Sequence, residues 1–185
     1  MTYCPTTIPT VLTIAGSDPS GGAGIQADLK TFTAAGVYGA SVITALTAQN
    51  TRTVSGVMPV PADFVKQQID AVFDDIRIDI IKLGMLPNAA VCQVIAPYLA
   101  DVPVVCDPVM ITTSGCSLID DPAVAALISH IIPKSDYLTP NYDELNTLYG
   151  KKIDTVSGAG KELLARFDNL SGIILKGGHV DTDQA

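Results

Sequence analysis

Residues 10–32, TVLTIAGSDPSGGAGIQADLKTF, pass from the apolar run Thr10–Ile14 into four glycines within nine positions, and then into helical spacing at Ile25, Leu29 and Phe32. A strand, a bare turn and a helix follow one another. The same alternation continues outward. The runs Val11–Ala15, Val42–Ala48, Ile78–Met85, Val102–Cys106, Tyr137–Leu138 and Gly172–Leu175 are short and mostly unbroken by polar residues, as suits strands buried on both faces. Between them, apolar residues recur at helical spacing: Phe64, Ile69, Val72 and Phe73; Val91, Val94 and Ile95; Val124, Leu127, Ile128 and Ile131; Leu163, Leu164 and Phe167. Alternation of this kind predicts an α/β fold with a mostly parallel sheet covered by helices. Thr53–Val60 fits neither period and reads as a short strand or hairpin arm.

At 185 residues, the chain fits one domain, 1–185, with a sizeable interior. Hydrophobic residues make up 48% and charged residues 16%, yet no apolar run approaches the ~20 residues that span a bilayer. The N-terminus, MTYCPTTIPT, has no basic start followed by a long apolar stretch, which argues against a secretory signal and places the protein in the cytoplasm. Cys4, Cys92, Cys106 and Cys116 show no Cys-x-x-Cys spacing and read as reduced structural thiols. A net charge of −8 without a Lys/Arg cluster argues against a nucleic-acid partner. An anionic ligand must then be held locally.

Almost every predicted strand ends in a polar or glycine-containing cluster: AGSD, TAQNT, KLGM, CDPVM, TPN and LKGGH. Ligands of open parallel sheets bind at the carboxyl ends of the strands, so these clusters converge on one small-molecule site. Gly22-Ala-Gly24-Ile-Gln-Ala27 fits a dinucleotide fingerprint by letter, but six residues separate it from Ala15 and no acid occurs between Asp28 and Asp63. Both features argue against a nicotinamide enzyme, and no glycine is followed directly by Lys-Ser or Lys-Thr as a phosphate loop requires. What remains is a turn whose backbone approaches a ligand and presents N–H groups, or a tight turn with Ser20 as helix cap.

Single residues sharpen the picture. Asp28 lies beside the apolar stripe of its helix and needs a partner, with Lys30 and Lys82 the nearest candidates in sequence. Gln49 ends a strand, where its amide can pair with the edge of an aminopyrimidine or purine, or cap loop backbone. Asp107, after the run Val104–Cys106 and before Pro108, suits Mg²⁺ or one of its waters. Asn141-Tyr-Asp-Glu144 reads either as part of the ligand site or as a helix N-cap with its glutamate three residues on. Lys176 ends an apolar run beside Gly177 and Gly178, which suits a phosphate, or else it snorkels to water.

Taken together, TIAGSDPSGGAGIQADLKTF (13–32), ITALTAQNT (43–51), KLGML (82–86), DPVM (107–110), TPNYDE (139–144) and LKGGH (175–179) resemble the hydroxymethylpyrimidine/phosphomethylpyrimidine kinases of thiamine biosynthesis. The resemblance runs from about Thr10 to His179. It implies a ribokinase-like three-layer αβα fold lacking its C-terminal strands and helices, ATP and Mg²⁺ as cofactors, and a homodimer. The implied reaction is phosphorylation of 4-amino-5-hydroxymethyl-2-methylpyrimidine and then of its monophosphate. Carried over residue by residue, Gly16, Ala23, Asp28, Gln49, Met85 and Val109 would line the substrate pocket. Asp107 and Glu144 would serve Mg²⁺, and Asn141 and Lys176 the phosphates. The family's Gly-Thr-Gly-Cys loop, which supplies its anion hole and catalytic cysteine, has no counterpart in these 185 residues, so no catalytic residue is assigned. Two alternatives stand beside this reading: a pyridoxal kinase of the same superfamily, which shares the AGSD-like and DPVM-like segments, and a non-catalytic pyrimidine-binding remnant.

Overall fold

The computed structural model describes residues 8–110, 119–150 and 155–176. Cys4, Cys116, Gly177, Gly178 and His179 lie outside the described residues. Seven strands, β1 (Thr10–Ser17), β2 (Tyr38–Gln49), β3 (Val54–Pro59), β4 (Ile80–Leu83), β5 (Val104–Cys106), β6 (Tyr137–Leu138) and β7 (Gly172–Ile173), form one sheet in the order β3-β2-β1-β4-β5-β6-β7. Every pairing is parallel except β2 with β3. The ambiguous segment after β2 is thus an antiparallel edge arm, exposed along Ser55–Pro59. Helices α1 (Gly24–Ala34), α2 (Ala62–Asp75), α3 (Ala89–Ile95), α4 (Asp121–Ala126), α5 (Tyr142–Tyr149) and α6 (Val156–Arg166) fall between the strands. None of the described helices is long and apolar enough to cross a membrane.

Register explains the core. Leu12, Ile81 and Val104 stand side by side on β1, β4 and β5, and Ile14, Leu83, Cys106 and Leu138 form the next such row. All seven side chains are fully buried, in one cluster with Val65 and Ile69 of α2, Val91 and Ile95 of α3, and Leu127 beyond α4. Because strand side chains alternate, the row between them, Thr13, Lys82, Val105, Tyr137 and Gly172, faces the other way. Here the expectation of burial on both faces fails. α1 packs mainly on β1 and β2, and Ile80 and Tyr137, farther along the sheet, are 40% and 43% exposed. Burial of Cys92 and Cys106 pushes both thiols up to about 12, leaving them inert as free, buried cysteines.

The chain leaves β1 toward β2 on one side, while β4 flanks it on the other. Connections diverge there, and in open α/β sheets that divergence opens a crevice at the strand carboxyl ends. Backbone pairing carries the chain past each strand end to its rim: Gly84 N–H donates to the Ile14 carbonyl at 3.0 Å, Asp107 N–H to Leu83 at 2.9 Å, and Lys176 N–H to Pro140 at 2.9 Å.

Candidate active site

A cleft of about 410 Å³ lies along this rim. All ten residues proposed for the site line it: Gly16, Ala23, Asp28, Gln49 and Met85 from β1, β2, β4 and the segments beside them, and Asp107, Val109, Asn141, Glu144 and Lys176 from the segments after β5, β6 and β7.

The glycine-bearing loop is built around Asp18, which in the sequence is one letter of the AGSD turn. This carboxylate is 3% exposed. Its Oδ2 accepts the N–H groups of Gly22 at 3.1 Å and Ala23 at 2.8 Å, and its Oδ1 accepts the N–H and the hydroxyl of Ser20, each at 2.8 Å. Burial pushes the Asp18 carboxyl up, but the Ser20 hydroxyl and the N–H groups of Ser20, Ala23 and Gly22 outweigh it and hold the group below its ordinary value. Two expectations are corrected here. The N–H groups of Gly22 and Ala23 are not free for a ligand, because the side chain of Asp18 occupies them. Ser20 does not cap the helix: the N-cap is Ala23, which has no side-chain bond. A signal was present, since Asp18-Pro-Ser-Gly is turn chemistry in which an aspartate binds backbone two residues on. Gly24 closes the loop against β1 at φ +56°, where a Cβ would stand 2.3 Å from the Gly16 carbonyl oxygen. The loop's bareness therefore serves close backbone approach, with internal acceptors for its N–H groups.

At the pyrimidine end proposed from sequence, Asp28 Oδ2 accepts from the Thr13 hydroxyl at 2.6 Å and from Lys82 Nζ at 3.0 Å. Lys82 is thus the partner Asp28 required, while Lys30 Nζ donates to the Gly21 carbonyl at 2.8 Å. The Thr47 hydroxyl donates to the Ser17 carbonyl at 2.9 Å, with the Gln49 amide oxygen a second acceptor at 3.2 Å. The Thr44 hydroxyl donates to the Met85 carbonyl at 2.7 Å, tying the Met85 segment to β2.

At the other end, Lys176 Nζ donates to Asp107 Oδ1 and lies 3.6 Å from Glu144 Oε2. The two readings of Asn141-Tyr-Asp-Glu144 prove compatible. Asn141 Oδ1 accepts the Glu144 N–H and Glu144 Oε2 accepts the Asn141 N–H, both at 2.8 Å, as a capping box at the start of α5, and the same glutamate meets Lys176. Glu144 is 2% exposed. Burial pushes its carboxyl above the ordinary value against the Asn141 N–H and Lys176, with Asp107 adding to the rise. Among the described residues no three acidic, histidine or cysteine side chains gather as a metal cage. Two carboxylates beside an ammonium do fit Mg²⁺ carried by a nucleotide, which keeps several waters and takes one or two carboxylates with the phosphates.

Comparison with known proteins matches the phosphomethylpyrimidine kinase family model over residues 18–185. The chain belongs to the phosphomethylpyrimidine kinase family. It is 46% identical over 181 residues to the hydroxymethylpyrimidine/phosphomethylpyrimidine kinase of Escherichia coli, covering 94% of this chain and 67% of that one. It is 47% identical over 182 residues to the thiamine biosynthesis multifunctional protein ThiED of Corynebacterium efficiens, covering 96% of this chain and 24% of the relative. Among solved structures, the phosphomethylpyrimidine kinase of Clostridium difficile superposes with TM-score 0.83 at 43% identity, covering 95% of this chain and 77% of that one. The pyridoxal kinase of Staphylococcus aureus in complex with AMP-PCP and pyridoxal superposes with TM-score 0.76 at 34% identity, covering 93% and 63%. The fold is the ribokinase-like α/β architecture of these kinases.

Proposed function

We propose that this protein takes part in the ATP-dependent phosphorylation of 4-amino-5-hydroxymethyl-2-methylpyrimidine and its monophosphate. The observation that carries the proposal is one continuous cleft joining two unlike ends. One end offers Gln49, Asp28, Met85 and bare backbone at Gly16; the other offers Lys176 between Asp107 and Glu144. An amide and a carboxylate beside apolar contacts suit a flat heterocycle with exocyclic N–H groups. An ammonium between carboxylates suits a phosphate chain and its cation.

Phosphoryl transfer needs positioning and charge neutralisation more than covalent chemistry by the protein. In this reading Gln49 orients the heterocycle by its aminopyrimidine edge, and Ala23, Met85 and Val109 hold its faces. The hydroxymethyl group is thereby aimed along the cleft. Lys176 neutralises the transferring group, and Asn141 holds the segment that carries Glu144. Asp107 and Glu144 would hold Mg²⁺, which when bound neutralises charge on the nucleotide phosphates. The substrate oxygen bonds to the γ-phosphorus as the bond to the leaving ADP oxygen breaks, and the hydroxyl proton passes to solvent water. A cytoplasmic kinase needs no membrane contact for this reaction. The apolar side chains Leu46 and Met58, paired across the β2–β3 arm and 40% and 60% exposed, suit burial against a second copy, and sedimentation tests that homodimer.

The experiment is an ATP-dependent phosphorylation assay of the 185-residue chain on the aminopyrimidine, with calorimetry beside it. Turnover supports the kinase reading, and saturable pyrimidine binding without turnover supports a binding role for the chain alone. Binding of neither pyrimidine nor ATP overturns both. The pyridoxal reading rests on the Staphylococcus aureus neighbour in complex with pyridoxal, TM-score 0.79. A preference for pyridoxal in direct competition would establish it.

A further inference from the structure

Lys82 is a charge inside the apolar strand run Ile80-Ile-Lys-Leu83, paired in register with Thr13 of β1. A desolvated ammonium on a central strand is costly unless paired and hydrogen-bonded, and its side chain is only 23% exposed. It meets Asp28, 15% exposed, at 3.0 Å. The partners are arranged unevenly. Lys82 Nζ and the Thr13 hydroxyl both donate to Oδ2, and among the described residues no hydrogen bond is made by Oδ1. Asp28 nevertheless lines the cleft. Two donors from neighbouring strands on a single oxygen fix the plane of the carboxylate and leave the lone pairs of the other oxygen unused. Gly84 clears the space for this: a Cβ there would stand 2.8 Å from Ala15 Cβ and 3.1 Å from Lys82 Nζ.

We propose that Lys82, assisted by Thr13, is a positioning residue that holds Asp28 so that its second oxygen accepts an N–H or O–H of the heterocyclic substrate. The inference rests on the aminopyrimidine reading of the cleft. Lys82 acts through Asp28 and does not itself touch the substrate. Without Lys82 the carboxylate loses the donor that fixes its plane and faces the cleft in a mixture of orientations. Thr13→Val removes the other donor at nearly constant volume, with a smaller effect.

The test is a cycle of calorimetric titrations of 4-amino-5-hydroxymethyl-2-methylpyrimidine into the wild-type chain, Lys82→Met, Asp28→Asn and Lys82→Met/Asp28→Asn. The double variant removes both charges together, so its fold does not depend on an unpaired ion. Lys82→Met and Asp28→Asn are each expected to weaken binding about tenfold, on the scale of a lost charge-assisted hydrogen bond, and the double variant to bind no more weakly than Asp28→Asn alone. Thr13→Val is expected to weaken binding about threefold, with Thr13→Ser restoring it. Multiplying losses in the double variant would mean that Lys82 contacts the substrate independently, and wild-type affinity in Lys82→Met would remove its role; either overturns the proposal while leaving the aminopyrimidine reading intact. A wild-type chain that binds no aminopyrimidine would overturn that reading, and this inference with it.

Discussion

The two ends of the cleft are made in opposite ways. Toward β1, the glycine-bearing loop is ordered by residues close in sequence: Asp18 gathers the N–H groups of Ser20, Gly22 and Ala23, and Gly24 seals the loop against Gly16. Toward β7, the cluster joins Asp107, Glu144 and Lys176, and Lys176 lies 69 positions beyond Asp107 in the chain. A local loop is shaped before a ligand arrives, whereas a cluster of charges drawn from three strand ends depends on sheet register. Damage to the glycine-bearing loop is expected to cost stability first; damage at the β7 end is expected to cost nucleotide binding first.

The largest effect is expected at Gly24. Alanine there must adopt φ +56° and place its Cβ against the Gly16 carbonyl, costing about 3 kcal/mol of stability, since the backbone strain alone is of order 1–3 kcal/mol. Denaturant unfolding measures this, and a loss under about 0.5 kcal/mol, the level of a neutral surface change, would show that the loop yields without penalty. Asp18→Asn comes next, because an amide NH₂ would face the N–H donors of Gly22 and Ala23, at about 2 kcal/mol for stranded buried donors. This site also carries a pH dependence. Since the folded-state value of Asp18 lies below its ordinary 3.8, its contribution is present above pH 3.8 and is lost as pH falls through the folded-state value. The wild-type chain should lose stability more steeply than Asp18→Asn on acidification below about pH 4, and parallel curves would remove Asp18 as the clamp.

Substitutions at the far end should leave the fold nearly intact. Lys176→Met leaves Asp107 and Glu144 without their shared cation, so the Glu144 carboxyl rises further and affinity for Mg²⁺-ATP falls about tenfold. Unchanged nucleotide affinity would separate Lys176 from the phosphates. The smallest expected effect on stability is that of Gln49→Ala, within about 0.5 kcal/mol because the side chain sits at the cleft rim. Its pyrimidine affinity should drop about tenfold on loss of the amide contacts.

How much of this could be read from the chain differs between the same two ends. Strand runs and their polar endings pointed to the sheet and to one cleft at its rim, because buried parallel strands leave unbroken apolar stretches, whereas Gly16, Ala23, Met85 and Val109 followed from the family resemblance alone. The Asn141–Glu144 spacing was legible as a cap, and the structure shows a cap that also faces Lys176. Asp18 was visible only as one letter of a turn motif, and its acceptor role depends on a fold-back that spacing alone does not specify. Thr13 lay hidden in an apolar run, since the reason for its hydroxyl is Asp28 on the next helix. The exposure of Ile80 and Tyr137 was also illegible in sequence: an apolar strand reads the same whether one face or both are covered.

The central claim is that the cleft holds a heterocycle at the β1 end and nucleotide phosphates at the β7 end. Parallel calorimetry of the wild-type, Gln49→Ala and Lys176→Met chains with the aminopyrimidine and with Mg²⁺-ATP tests it most directly. A crossed pattern is expected, in which Gln49→Ala loses pyrimidine affinity and keeps ATP while Lys176→Met does the reverse. Equal loss of both ligands in each variant would contradict the division of the cleft.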